Sequence, residues 1–507
     1  MRLLVIGGGS ALEVLVGELR QRGEYDISVL GADETTMSSL DVTSIAETGD
    51  VHGRLDVILS AARGRTGELS WSDPAWGLIE AVAGSDAVIT AGGSCFDSRF
   101  PGPLAELLLV ARLAAAFNKP LLLSGHSVGT LASDDDRAAV MEIISGARLA
   151  GLSDDQSFEW ALLNFRFPPT TLRRTLAAVA FTPVAEDAGG SSMLDSPYVL
   201  VDLSDLAALA HGAAAQAMGG LLDQAAKLRA AQLLLVDSSR TSTATIVDAV
   251  TAEYRLADAA PAVVSALIRD ASLVITGGAD LSRMAVVAGV PVLAISTDED
   301  TDRALTQALG DFGLAEAVVL APTVATGDAA EVLERIAQSS AGRAPEDLID
   351  RRRAESITWW DELHATIGGH SCTPATLSNV SQIGLLPDAL RPKVDALRAL
   401  QRVDVQRTTA AVRRRDAVEL DAEESRIVAL QSEMGQLAAE RDAALAELNE
   451  AQSALSAAHT VAADVEQRLP VARPRNHVAA GVAHKALRFA ARFVRRAAER
   501  LGVGVRR

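Results

Sequence analysis

The strongest constraint in this 507-residue chain is a phrase written twice. Asp86-Ala87-Val88-Ile89-Thr90-Ala91-Gly92-Gly93 and Ser272-Leu273-Val274-Ile275-Thr276-Gly277-Gly278 are both short, largely apolar runs that end in a glycine pair. Each is followed by an Ala/Leu-rich helical stretch and then a proline-led strand: Lys119-Pro120-Leu121-Leu122-Leu123-Ser124 in one case, Val290-Pro291-Val292-Leu293-Ala294-Ile295 in the other. This is the pattern of a βαβ unit. In open parallel sheets ligands sit beyond the carboxyl ends of the strands, where glycines let the backbone approach a bound anion. Two such units predict two facing ligand-binding edges.

The rest of the chain extends the pattern. Strand-like runs at Leu3–Ile6, Ile27–Leu30, Val57–Leu59, Ala87–Thr90 and Leu121–Ser124 alternate with helical stretches such as Ala11–Arg20 and Leu104–Phe117, as in a doubly wound α/β domain over residues 1–180. A Pro/Gly/Ser/Thr-rich stretch, 168–197, marks the boundary. A second series over 195–345 has strands at Tyr198–Leu203, Gln232–Val236, Leu273–Thr276, Val292–Ile295 and Val318–Leu320. Asp347–Ile367, with Trp359 and Trp360, reads as a helix (346–367) that returns to the first domain, and 368–391 reads as a linker.

From Pro392 to Arg468 the composition is helix-forming throughout. Ile427, Met434, Leu448 and Leu455, with Leu430, Leu437, Ala444, Ala451 and Ala458, form a heptad seam interrupted by Arg441, so 392–468 is expected to be a coiled coil and the chain a homo-oligomer through it. The net charge of −19 is uneven: residues 471–507 hold nine Arg and one Lys against Glu499, about +9, which leaves about −28 elsewhere. An acidic body is a poor partner for nucleic acid. In Val482–Leu501 the apolar positions recur at helical spacing among Lys485, Arg488, Arg492, Arg495 and Arg496, the pattern of a basic amphipathic helix on an anionic membrane surface. With no long apolar run, and with Gly7-Gly8-Gly9 where a signal peptide needs apolar length, the expected location is the cytoplasm, peripheral at the inner face of the membrane. Cys95 and Cys372 make neither a disulfide framework nor a metal spacing, and no P-loop, nucleophile elbow or full dinucleotide fingerprint is present.

Several blocks, taken in order, resemble the polysaccharide pyruvyl transferase family. They are Gly92-Gly93-Ser94-Cys95-Phe96-Asp97, then Lys119-Pro120 with Gly125-His126-Ser127-Val128-Gly129, then Leu152-Ser153-Asp154-Asp155-Gln156-Ser157, and, in the second half, Leu273–Thr276, Ala288-Gly289-Val290-Pro291 and 298–310. The resemblance spans residues 1–365. It implies two Rossmann-like domains in a GT-B-like arrangement, and transfer of a pyruvyl group from phosphoenolpyruvate, as donor substrate, to a cell-envelope glycan or its lipid-linked precursor, with no cofactor and no metal. Such chemistry needs cations for phosphate and carboxylate and an acid/base pair.

The candidate catalytic residues are His126, Asp154 and Asp280, and the candidate substrate-binding residues Gly92, Gly93, Arg99, Ser127, Ser157, Gly277, Gly278 and Arg283, the last one helical turn beyond Asp280. The chain departs from the family pattern where charge matters: Gly278 and Asp280 stand for its Arg and His, Ser153 for an Arg, and Asp300 near a Lys. His126 reads equally as a turn histidine bonded to backbone, Asp280 as an N-cap, and Arg283 and Arg99 as salt-bridged surface groups. Two alternatives therefore stand beside pyruvyl transfer: an inactive relative that acts as a membrane-associated scaffold, and a GT-B glycosyltransferase that uses a nucleotide sugar.

Overall fold

The computed structural model describes residues 1–31, 42–45, 51, 53–65, 69–93, 95–99, 101–166, 170–181, 196–236, 243–257, 261–338, 342–468 and 488. They fall into two units, Met1–Thr409 and Ala410–Arg507. The first unit holds two parallel sheets. In sheet one, β1 (Arg2–Ile6), β2 (Asp26–Leu30), β3 (Thr43–Ile45), β4 (Ala87–Ala91), β5 (Leu121–His126), β6 (Leu149–Leu152) and β7 (Leu172–Arg174) lie in the order β3-β2-β1-β4-β5-β6-β7. In sheet two, β8 (Tyr198–Asp202), β9 (Gln232–Val236), β10 (Tyr254–Ala257), β11 (Leu273–Thr276), β12 (Val292–Ser296) and β13 (Val318–Leu320) lie in the order β10-β9-β8-β11-β12-β13.

Both domains are thus Rossmann-like, as the sequence pattern predicts, and they share one cleft, in keeping with the GT-B-like arrangement that the resemblance implies. The twice-written phrase supplies β4 and β11, the strands beside β1 and β8, with Leu3 paired to Ala87 and Leu273 to Val199. In each sheet the strand order reverses at that pair. Every residue of β4 and β11 is buried, because helices cover both faces of a parallel sheet; this is why these strands read as unbroken apolar runs.

Four strands, β3, β6, β7 and β10, lack such a signal. β7 is Leu-Arg-Arg, an edge strand, and β10 is an edge strand of mostly exposed residues. β6 is a four-residue run, Leu-Ala-Gly-Leu, broken by a glycine. In the other direction, Val57–Leu59 is not a strand but lies in the helix Leu55–Ala62, and β3 is Thr43–Ile45. The run Val-Ile-Leu is too short for periodicity to separate strand from helix; Ile58, Leu59 and Ala61 are buried in the core of the first domain.

The helix Glu346–Ile367 packs on the first sheet, where Trp359, Trp360, Leu363 and Ile367 share a cluster with Leu3, Val5, Leu12, Leu122 and Leu149. Gly151 of β6 is required by this contact, since a Cβ there would sit 2.8 Å from the Trp359 ring. Glu362 closes the seam, accepting from Arg173 Nη2 at 2.8 Å and from the backbone N–H of Ala375 at 2.7 Å. The following segment crosses to the second domain, whose core takes Leu385, Leu386 and Leu390.

The helix Arg391–Arg468 begins in that core at Val394, and Arg398 clamps Asp302 with bonds of 2.9 and 3.0 Å. Within the second unit the helix exposes Met434, Leu437 and Leu445. The basic stretch 471–507 lies outside the described residues except Arg488. Among the described residues no helix is long and apolar enough to cross a membrane.

Replacing the buried Trp359 by Ala is expected to lower the unfolding free energy by about 3–5 kcal/mol, read from the urea midpoint at constant m-value.

Candidate ligand-binding cleft

The carboxyl edges of the two sheets face each other across a cleft of about 550 Å³. The first domain contributes Gly8, Gly9 and Ser10 after β1, Gly92 and Gly93 after β4, Gly125 and Ser127 around the end of β5, and Ser153 and Asp154 after β6. The second contributes Ala279, Asp280 and Arg283 after β11, and Asp300, Thr301, Arg303 and Gln307 from the helix Glu299–Gly310 after β12. Arg99, from the segment after β4, completes the wall.

The glycines are there because the backbones nearly touch. A Cβ on Gly92 would lie 2.3 Å from the carbonyl oxygen of Gly125, and one on Gly7 would lie 2.7 Å from Cβ of Ala91. No side chain fits at either position. The same tightness brings two helix heads to the cleft, those of Gly9–Arg22 and Ala279–Val287. Their N-caps, Gly8 and Gly278, have no side-chain capping bond. Uncapped N–H groups and the positive end of the helix dipole favour an anion there.

Three guanidiniums stand in the wall, each held by carboxylates. Arg99 Nε donates to Asp97 Oδ1 at 2.9 Å, and Asp97 is fully buried and accepts from the backbone of Arg99 at 2.9 Å and of Thr130 at 3.3 Å. These bonds with Asp97 hold the Arg99 pKa above its usual range. Arg99 Nη1 reaches across the cleft to Asp300, which also accepts from Arg303 at 3.1 Å. Arg283 Nη1 donates to Asp280 Oδ1 at 2.9 Å, while its buried Nε has no partner among the described residues. Asp280 Oδ2 accepts from Ser10 Oγ at 3.1 Å, so the two helix heads are tied across the cleft through a carboxylate.

Of the residues singled out from the sequence, Gly92, Gly93, Arg99, Ser127, Asp154, Asp280 and Arg283 line the cleft. His126 does not. It is the last residue of β5 and its ring is buried, with Nε2 2.7 Å from Thr90 Oγ1 and the ring centroid 5.1 Å from that of Phe96. Burial pushes its pKa down to about 4. It is a core imidazole that burial holds neutral near pH 7, and it does not line the cleft.

Asp154 and Ser157 fasten each other. Asp154 caps the helix Asp155–Asn164, accepting from Ser157 N at 2.7 Å and Ser157 Oγ at 2.5 Å, and Ser157 Oγ accepts from Val128 N at 2.7 Å. These bonds make Asp154 the cap of the turn, almost wholly buried where it meets the cleft, and the buried Ser157 does not line the cleft. Gly277 and Gly278 also lie behind the wall: a Cβ on Gly277 would meet Asp205 Cβ at 2.8 Å, and one on Gly278 would meet Asp205 Oδ2 at 3.1 Å. Burial, with Asp202 and Asp280 nearby, raises the Asp205 pKa, so the second glycine turn faces an acidic group of its own domain.

Ser10 and Arg303 line the cleft without being among the candidate site residues above. Arg303 follows Asp300 by one helical turn in a helix started by a reciprocal Asp298–Thr301 capping box, and that box was the available signal. Among the described residues no group of three His, Cys, Asp or Glu is placed to hold a metal ion.

His126 yields a pH test. Because its folded pKa lies below the ordinary histidine value, the unfolded chain takes up a proton first as pH falls below about 6.5, and stability is lost from there down toward pH 4. Between pH 7 and pH 5 the wild type should lose about 2 kcal/mol of unfolding free energy that His126→Asn does not lose, as measured by urea titration at each pH.

No protein-family model matches the chain, and no curated protein matches it in sequence. Solved structures do resemble it in fold. The UDP-GlcNAc 2-epimerase of Neisseria meningitidis bound to UDP-GlcNAc is 11% identical, with 71% of this chain and 100% of that one covered and a TM-score of 0.45. The UDP-GlcNAc 2-epimerase of Methanocaldococcus jannaschii is 13% identical over 66% of this chain and 93% of its own, TM-score 0.45. A spinosyn rhamnosyltransferase is 14% identical over 73% of this chain and 100% of its own, TM-score 0.43. At these identities the likeness carries neither substrate nor chemistry to this chain.

Proposed function

We propose that the protein is a GT-B-type transferase whose cleft takes a nucleotide-sugar donor. One observation carries this: two uncapped helix heads oppose each other across the cleft with Arg99, Arg283 and Arg303 in its wall. A volume of about 550 Å³ suits a ligand with a phosphate end and an extended remainder, within the ~300–1,000 Å³ of ordinary ligand sites. Phosphoenolpyruvate alone leaves most of that space empty. Pyruvyl transfer also needs an acid to protonate the methylene carbon, and His126 is buried away from the cleft.

In the proposed reaction, the acceptor hydroxyl loses its proton to Asp280, the half-exposed carboxylate of the wall. Its oxygen forms the new bond to the anomeric carbon, and the bond from that carbon to the diphosphate oxygen breaks. The electron pair leaves on the nucleoside diphosphate, which Arg283 and the helix heads stabilise. The acceptor we favour is a cell-envelope glycan or its lipid-linked precursor, reached through the basic tail at an anionic membrane.

Calorimetric titration with UDP-GlcNAc, UDP-glucose and dTDP-glucose should show binding of at least one, weakened at least tenfold in Arg283→Ala, as loss of a charge-assisted contact worth about 1.5–3 kcal/mol requires. Binding of phosphoenolpyruvate with none of the three nucleotide sugars would restore the pyruvyl transfer reading. Binding of neither class would favour the scaffold.

The exposed Met434 and Leu437 favour a further element, self-association through the heptad seam. Sedimentation should show the oligomer of the full chain dissociating in the double variant Met434→Glu, Leu437→Glu; a monomeric wild type would remove the claim.

A further inference from the structure

The chain exposes one tryptophan ring that the fold does nothing to cover. Trp71 is 79% exposed and stacks on Trp76 with ring centroids 5.5 Å apart and planes 12° from parallel. Trp76 in turn packs on the core of the first domain, and its Nε1–H donates to the carbonyl of Ser70 at 2.9 Å. The turn beneath is fixed as well: Asp73 accepts from Ala75 N at 3.0 Å and pairs with Arg54, and Leu69 is buried. The outer ring is therefore held in place by stacking and not by burial. One face meets Trp76; the other meets solvent.

We propose that Trp71 and Trp76 form a platform for the pyranose ring of a glycan. Rings of this kind offer a flat C–H face with hydroxyls at the rim, and the platform offers the complement. The apolar surface is about one indole wide, and its exposed neighbours Ser70 and Ser72 carry hydroxyls 3.1 Å apart at its edge. A protein partner needs roughly 800 Å² on each side, several times what a single indole of about 150–250 Å² supplies. The one nearby guanidinium identified, Arg54, is already paired with Asp73, which leaves it ill placed to serve a nucleotide phosphate.

Position adds to the argument. The helix Ala75–Gly84 runs back to the start of β4, so its head, with the tryptophan pair, lies at the carboxyl edge of the first sheet, the edge that carries the cleft. The platform would thus hold a sugar of the acceptor some way from the residue being modified. This role rests on the sugar-transferase reading, and the binding it predicts is measured separately from donor binding.

The test uses the full chain and hexasaccharides of glucose, mannose, galactose and N-acetylglucosamine, titrated by calorimetry against wild type, Trp71→Ala and Trp71→Phe. At least one hexasaccharide should bind wild type, at least tenfold more weakly to Trp71→Ala and nearly normally to Trp71→Phe, with melting temperature and nucleotide-sugar affinity unchanged. Three results would overturn the proposal: no hexasaccharide binding to wild type, equal binding by Trp71→Ala, or a mononucleotide such as UMP binding in a Trp71-dependent way where the sugars do not. Loss of nucleotide-sugar binding with glycan binding intact would sink the donor reading and leave the platform standing.

Discussion

The cleft exists because two domains are locked in one relation, and a buried ionic node beside it does the locking. Arg174, at the edge of the first sheet, donates to Asp155 of its own domain at 2.7 Å and to Asp311 of the second at 2.6 Å. Arg352, from the returning helix, donates to the carbonyl of the same Asp311 at 2.8 Å. Arg174, Asp311 and Arg352 are almost wholly shielded from water, so removing Arg174 leaves the buried Asp311 carboxyl without its ion-pair partner, which is far costlier than losing a surface pair. Gln307 links node to cleft: it lines the wall, receives the Asp155 N–H at 3.2 Å and donates to Asp311 at 2.8 Å.

Against that fixed frame the cleft wall is electrically balanced. The guanidiniums a phosphate would use are engaged by Asp280 and Asp300, and each of those carboxylates is also in contact with the opposite domain. A ligand anion would take over bonds that the protein now makes with itself. The gain on binding is then the difference between two sets of charge-assisted contacts, and it favours a ligand that presents several anionic oxygens at once over a single carboxylate.

The fold was legible because its inner strands are buried on both faces and announce themselves as apolar runs; β9, β11 and β13 coincide with such runs, and β1, β2, β4 and β11 lead into glycines. Of the four edge strands, β13 was legible and β3, β7 and β10 were not. β7 carries Arg173 and Arg174, residues whose value lies in partners distant in sequence, Glu362 for Arg173 and Asp311 for Arg174, and β10 leaves most of its residues exposed. The cleft was half legible, since glycines and arginines after strands point to an edge but not to which side chains face outward. His126 shows the limit. A histidine next to Gly125 and Ser127 looks like chemistry, and whether the ring turns toward solvent or toward Thr90 is decided by packing against Phe96. The two glycine pairs differ for a related reason. Gly92 and Gly93 open onto the cleft, whereas Gly277 and Gly278 accommodate Asp205, a residue some seventy positions earlier in the chain.

The returning helix makes the first domain discontinuous in sequence. The chain passes to the second domain after Phe181, comes back along the helix Glu346–Ile367, whose Ile349 is still in the second core and whose Trp359 is in the first, and leaves again after Ile367 for Leu385. A fragment cut at the apparent boundary near residue 180 would carry the whole of sheet one yet lack Trp359, Trp360 and Leu363, leaving Leu122, Leu149 and the bare Gly151 strand to water. Such a fragment is an invitation to aggregate. A single cut between Phe181 and Ser196, by contrast, would end every covalent link between sheet one and the rest of the chain yet leave Trp359, Trp360 and Leu363 packed on it, so the halves would be held by non-covalent contact alone.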